Sequence, residues 1–339
     1  MPAPATDPSP PAQGVRTIDP APFRLRLEGR EEALAAVDRL TDAGAGAPRA
    51  VGLDGVLADL DRRIRPFGRR FGSPWAARRA HGLLGGFRWD AEDSRTEAWY
   101  PQGVTASPDG AVVLVSWYQK GSNVARLSCV DLATGRYRHV RLTTAALEPV
   151  RSHAGGLAWR EDLLYVCDTR AGLRVFDLGR ILRTPDRGDD RYALPEAGRY
   201  RPADAALRFS FASVDEAAGA LLVGEYVDGA AGGRLVRWPF APGGLLGREA
   251  ASGAWVAGHA NLQGAVALPD RMLMAESRGA RLPGRLHVSP YAETAESRRW
   301  AVGGEDLARA GAEVLSLSEH PDFPRPLARR RAVFRVDPA

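Results

Sequence analysis

Lysine is almost missing from this chain: of its 46 basic residues only Lys120 is a lysine, and the rest are arginine. Schiff-base chemistry is thereby confined to one residue, in a turn-like Gln-Lys-Gly-Ser segment, and is discounted. The skew reads as base composition rather than a binding surface. The arginines are also interleaved with 41 acids, so the formal charge is only +5. No basic helix or aromatic stacking motif accompanies them, which argues against nucleic acid as a partner. Two cysteines, Cys129 and Cys167, are too few for a disulfide framework and read as buried free thiols. Apolar runs long enough to cross a membrane are lacking. The Pro/Ala-rich start, Met1 to Gly14, has no apolar core of a signal peptide, so a cytoplasmic protein without a membrane partner is expected. His-Glu-x-x-His, a Walker loop, a dinucleotide fingerprint and a Gly-x-Ser-x-Gly elbow are all wanting. His81, His139, His259, His287 and His320 show no metal-ligand spacing and are read as surface or structural, so no metal site is assigned.

Glycine and proline, by contrast, are abundant: 37 and 25 residues in 339. Without low complexity, that suits an all-β fold with many tight turns. Residues 1–20 are expected to be a disordered tail and 21–85 a small helical region. Helical spacing runs from Glu28 to Thr41 and from Leu53 to Ile64, followed by an Arg-rich stretch from Arg62 to Arg79. Such helices would cap one face of a larger domain.

From Trp89 the pattern changes to strands and turns that repeat, the signature of a propeller or solenoid. Each unit supplies three or four strands, as a propeller blade does. The fifth runs out of chain after three and would be closed by a strand near Gly86 to Asp90. The expected fold is therefore all-β, a five-bladed β-propeller over 86–339 behind the helical N-terminal region.

Aligning the second strands gives Leu-Val-Ser-Trp-Tyr (114–118), Tyr-Val-Cys-Asp-Thr (165–169), Leu-Val-Gly-Glu-Tyr (222–226), Leu-Met-Ala-Glu-Ser (273–277) and Ser-Leu-Ser-Glu-His (316–320). The fourth position is Trp117, Asp168, Glu225, Glu276 and Glu319. The first strands open with equivalent polar residues: Tyr100 and Gln102, His153, Asn261 and Gln263, and Glu305, with only aromatic Phe209 and Phe211 in the third unit. In an antiparallel blade both positions lie at one edge, so they should ring one mouth of the axial funnel. Carboxylates converging there repel one another, which raises some pKa values or calls for a cation. Gly103, Gly156 and Gly264 read as close-approach positions at the crowded axis.

At Trp-Tyr-Pro-Gln-Gly-Val (99–104), His-Ala-Gly-Gly-Leu-Ala-Trp (153–159) and Tyr-Val-Cys-Asp-Thr (165–169), the chain resembles uncharacterised bacterial five-bladed propeller proteins. The resemblance covers about residues 85–339. Those proteins are often secreted, and this chain departs from them in lacking a signal peptide. More loosely the layout resembles strictosidine-synthase-like and gluconolactonase-like propellers, which have six blades. That resemblance implies either amine–aldehyde condensation by a carboxylate acid/base or lactone hydrolysis at a divalent cation.

The first expectation is accordingly an acid/base enzyme of specialised metabolism acting on a small aromatic substrate, with a Pictet–Spengler-type ring closure. Glu225 or Glu276 would move the proton, with His153 beside them. Tyr100, Trp117, Phe209 and Tyr226 would stack on the substrate, while Gln102 and Gln263 orient it. Asp168, Asn261, Glu305 and Glu319 complete its binding site. A second expectation is a hydrolase holding Ca²⁺ or Mg²⁺ on Glu305, Asn261, Gln263 and Glu276. A third is a non-catalytic binding platform.

Overall fold

The computed structural model describes residues 14–69, 71–185, 191–204, 206–247, 249–292, 294–322 and 329–339. The expected tail of residues 1–20 thus lies outside the described residues up to 13. Strands dominate from Leu83 onward, in antiparallel runs linked by tight turns. Each run begins with an innermost strand: Trp99–Ala106, Leu157–Arg160, Phe211–Asp215, Leu262–Ala267 or Gly304–Ala310. These pack neighbour against neighbour. Trp99–Ala106 touches Leu157–Arg160 and Gly304–Ala310; Phe211–Asp215 touches Leu157–Arg160 and Leu262–Ala267; and Leu262–Ala267 touches Gly304–Ala310. The inner strands therefore close a ring, a propeller-type arrangement.

Glycine makes that closeness possible. A Cβ on Gly156 would stand 2.2 Å from the Ala212 nitrogen, and one on Gly264 2.5 Å from the Leu307 nitrogen. On Gly103 it would stand 2.8 Å from the Leu157 side chain. Any larger residue would force adjoining inner strands apart. One serine from a second strand and one from an inner strand tie the ring further. Ser116 donates to the Ala154 carbonyl at 2.7 Å, and Ser213 to the Ala265 carbonyl at 2.7 Å.

The last sheet is completed from the other end of the chain: Leu83–Arg88 pairs antiparallel with Ala332–Val336. Trp89, one residue later, is fully buried in an edge-on cluster with Phe87, Trp117 and Tyr137. Between 136 and 202 the outer strands fuse two runs into one sheet, because Arg136–Thr143 lies parallel to Tyr192–Pro202.

The N-terminal region mixes two helices with short strands, and Val56 of the second helix packs into a core cluster with Leu114 and Leu127. Its one long helix is Arg30–Thr41; the second, Gly52–Leu57, is shorter than its sequence pattern suggests. Arg136 draws the Leu60 carbonyl away at 2.6 Å, and Arg62–Arg63 then pairs as a strand with Arg136 and Tyr137. Pro66 could not have continued a helix in any case. The remaining N-terminal strands add to outer edges: Val15–Thr17 to Gly253–Ala257, Leu25–Glu28 to Tyr192–Pro202, Arg49–Ala50 to Leu182–Arg183, and Arg65–Gly68 to Leu83–Arg88. The segment is a strap that covers open sheet edges. Both cysteines are buried and free, and among the described residues no helix is long and apolar enough to cross a membrane.

Candidate functional site

The edge where first strands begin and second strands end encloses a cavity of about 670 Å³. Gln102, His153, Asp168, Tyr226, Gln263, Glu305 and Glu319, all expected at this mouth, line it. The others are elsewhere. Trp117 is fully buried, its indole N–H donating to Ser128 at 2.8 Å, and Phe209 is buried in a core cluster behind the third run. Strand alternation explains the first case, since Trp117 points into the core and its neighbour Tyr118 faces the cavity. Tyr100 stacks behind Tyr118, with ring centroids 5.7 Å apart.

Of the repeated carboxylates, Asp168 and Glu319 reach the cavity, and Glu225 and Glu276 do not. Glu225 is buried and fully engaged: Arg234 grips both its oxygens at 2.6 Å, and the Arg208 and Arg234 backbone N–H groups donate to it as well. Asp168 lines the cavity but accepts from the Arg174 guanidinium at 2.9 Å and from the Ala171 backbone N–H at 3.2 Å. Glu276 is turned toward His287 at 2.9 Å and lies outside the cavity lining. Asn261 is a hinge of the backbone, in the left-handed region at φ 54°. It accepts from the Gly229 N–H and anchors Ser277. The ligand set of the hydrolase reading is thus split, with Gln263 and Glu305 in the cavity and Asn261 and Glu276 outside it.

Glu319 differs from the other second-strand acids. Its only side-chain hydrogen bond among the described residues comes from Gln102, at 2.9 Å. Burial raises its carboxyl to about 7, although the Gln102 amide and the charges of Arg331 and Arg330 pull the other way. Glu305 is buried beside it, and His320 Nε2 stands 3.5 Å from Glu319 Oε1. Burial, the Glu319 charge and the Asp306 charge hold Glu305 well above the usual carboxylate range. Two such groups together resist double ionisation.

Around this acidic pair stand flat and cationic groups. His153 and Tyr118 lie with ring centroids 4.3 Å apart and planes tilted by 32°. Burial and the nearby Arg208 charge depress the His153 imidazole, which favours the neutral ring. Arg208 sits over the Tyr226 ring at 5.7 Å. Arg151, Arg170 and Arg208 are exposed side chains that also border the cavity. Sequence reasoning passed over these arginines, Tyr118 and Ser210, because arginine is so common here that no single one stands out. One signal was available: Arg170 directly follows the Asp-Thr end of a second strand, and Arg208 opens the third run.

Behind the cavity, Asp306 occupies the position held by glycine at 103, 156 and 264. Its carboxylate accepts from the Val104 N–H at 3.0 Å and the Leu157 N–H at 3.1 Å, which joins three inner strands at the axis. Burial outweighs these bonds and raises its pKa well above the ordinary value.

No protein-family model matches the chain, and no curated protein matches it. Several solved structures share part of its shape. A glutaminyl cyclase of Myxococcus xanthus is 12% identical with TM-score 0.40, over 72% of this chain and 93% of that one. A GH43_1 enzyme of Xanthomonas citri is 11% identical with TM-score 0.37, over 71% and 88%. Kuenenia stuttgartiensis hydrazine synthase is 12% identical with TM-score 0.36, over 74% and 90%. Likenesses this distant say nothing of what this chain does, and its fold rests on its own strand pairing.

Proposed function

We propose that the chain is a five-bladed propeller whose axial cavity is the active site of a small-molecule enzyme working by acid/base catalysis. The observation that supports this reading is the buried pair Glu305 and Glu319, one raised to about 7 and the other well above the carboxylate range. With its carboxyl near 7, Glu319 can serve as a general acid when protonated and as a general base when ionised at neutral pH. Glu319, held by Gln102, is the member poised to exchange its proton with a substrate. Glu305 stays protonated and keeps the pair from acquiring two charges. This assignment moves the proton chemistry from Glu225 and Glu276 to the fifth blade.

The walls suit a planar substrate with an anionic substituent. Tyr118, His153 and Tyr226 offer ring faces, and Arg151, Arg170 and Arg208 offer guanidinium groups. A Pictet–Spengler-type closure fits such a site. It needs an acid to expel water from the amine–aldehyde adduct, then a base to remove the ring proton once the carbon–carbon bond has formed. One carboxyl pair can do both in turn.

The test is to incubate the protein with an arylethylamine and an aldehyde, reduce any free imine with borohydride, and look by mass spectrometry for an unreduced product lighter than their sum by one water, the mass of the closed ring. Glu319→Gln should lower turnover by about 10²–10⁴-fold, the usual worth of a positioned acid/base group, while amine binding persists. Turnover that survives in both Glu319→Gln and Glu305→Gln would sink the assignment. Amine binding without product in the wild type would point to a binding platform.

A further inference from the structure

The 258–261 connection carries His259 onto the third and fourth runs, where it meets two residues far from it in sequence. His259 and His287 stack with ring centroids 3.4 Å apart and planes 8° from parallel. Glu276, at the end of Met272–Glu276, lies diagonally across the sheet from His287 on Pro283–Ser289, and its Oε2 is 2.9 Å from His287 Nε2. Ligand atoms from all three lie within 4.8 Å of one another. Glu276 is partly exposed and His287 buried, so the group opens to solvent on one side only.

We propose that His259, Glu276 and His287 form a binding site for a divalent transition ion of the Zn²⁺ class, separate from the axial cavity. Two imidazoles and one carboxylate are the donor set that such ions favour over Ca²⁺ or Mg²⁺, which take oxygen ligands. Donors around a tetrahedral ion with bonds of roughly 2.0–2.1 Å stand roughly 3.4 Å apart. The three ligand atoms, all within 4.8 Å of one another, come to that spacing with a small adjustment of side chains. Three protein ligands leave a fourth position for water or another small donor.

Two further features favour an ion over a chance cluster. First, the His259 Nε2 is buried and has no hydrogen-bond partner, the state of a donor whose natural partner is a cation. Second, the ligands are held from behind. His287 Nδ1 lies 2.8 Å from the Ser297 hydroxyl on the fourth strand. With metal on Nε2, the single ring proton, now between Nε2 and Glu276, moves to Nδ1 and is donated to Ser297. Arg278 lies 3.9 Å from the other Glu276 oxygen, Oε1, and leaves Oε2 to the imidazoles. The His259 loop is itself clamped, since Gly258 donates to the Gly14 carbonyl and Asn261 to the Val227 carbonyl. This assigns the left-handed Asn261 a role as well: it sets the loop that presents His259. Sequence spacing could not reveal the site, because its members come from a loop and two strands that only the fold brings together.

The test uses the full chain stripped with a chelator and titrated with Zn²⁺ by calorimetry, with Ca²⁺ as the hard-cation control. One Zn²⁺ should bind per chain and raise the melting temperature, and Co²⁺ in its place should give the visible absorption of a tetrahedral site. His259→Gln, in a loop outside the core, should abolish binding with an unchanged circular dichroism spectrum. Ser297→Ala should weaken it by about 10–100-fold, the usual cost of losing an outer-shell partner. Zn²⁺ affinity unchanged in both His259→Gln and Glu276→Gln, absence of Zn²⁺ binding to the stripped wild type, or tighter binding of Ca²⁺ would each overturn the proposal. None of these readouts depends on catalysis in the axial cavity.

Discussion

Asp306 shows how one side chain can serve three strands. It takes the place of an axial glycine and turns its carboxyl to N–H groups of two neighbouring runs. Asp306→Ala should leave both donors buried and unpaired, at a cost of about 1–3 kcal/mol in chemical denaturation. Asp306→Asn, which keeps the accepting oxygen, should stay close to wild type. Asp93 is the opposite kind of acid. Burial alone would raise its pKa, but the hydrogen bond and charge of His139, the charge of Arg126 and the Tyr137 hydroxyl together hold it far below the carboxylate range. Its folded pKa lies below the unfolded value of about 3.9. The stability it contributes is therefore present above that value and lost as pH falls below it. Asp93→Asn should lower the melting temperature at neutral pH and flatten the acid limb of the stability profile.

Among the elements, the closing strand Leu83–Arg88 matters most, since it joins the two ends of the ordered sheets. Gly86 has no room for a side chain, as a Cβ there would lie 2.2 Å from the Val333 carbonyl oxygen. Gly86→Val should split this pairing and lower the thermal midpoint sharply, an effect read by calorimetry. Trp89, wedged beside it, should cost about 3–5 kcal/mol when cut to alanine. The need for such a strand was legible in the sequence, because the fifth unit has too few strands of its own. The acidic register was legible too, as was the glycine at three inner-strand starts, 103, 156 and 264. What each acid does was not. Whether a carboxylate is gripped by an arginine on its own third strand, as Glu225 is, or is hydrogen-bonded by an amide, as Glu319 is, depends on side chains elsewhere in the fold. Trp117 was misplaced for a simpler reason: a strand turns alternate residues to opposite sides, and an alignment of strand ends does not say which. The strap of N-terminal strands stayed hidden because two- to four-residue edge strands carry little periodicity.

For the molecule as a whole, the buried carboxyls set a pH dependence opposite to that of Asp93. The folded pKa of Glu319, about 7, is raised above its unfolded value. Its contribution is fully present below the ordinary glutamate value of about 4.3. It falls as pH rises and is gone once pH passes about 7. Glu305 and Asp306, raised in the same direction, extend the loss to higher pH. The protein should therefore be most stable in mildly acid solution, and Glu319→Gln should flatten the decline toward pH 7. The most direct test of the acidic pair is a pH titration of the protein labelled with ¹³C at the glutamate carboxyl carbons, followed by NMR. One glutamate should titrate near 7, and that resonance should vanish in Glu319→Gln. If every glutamate carboxyl titrates in the ordinary carboxylate range, the pair holds no proton at neutral pH and the acid/base reading is contradicted.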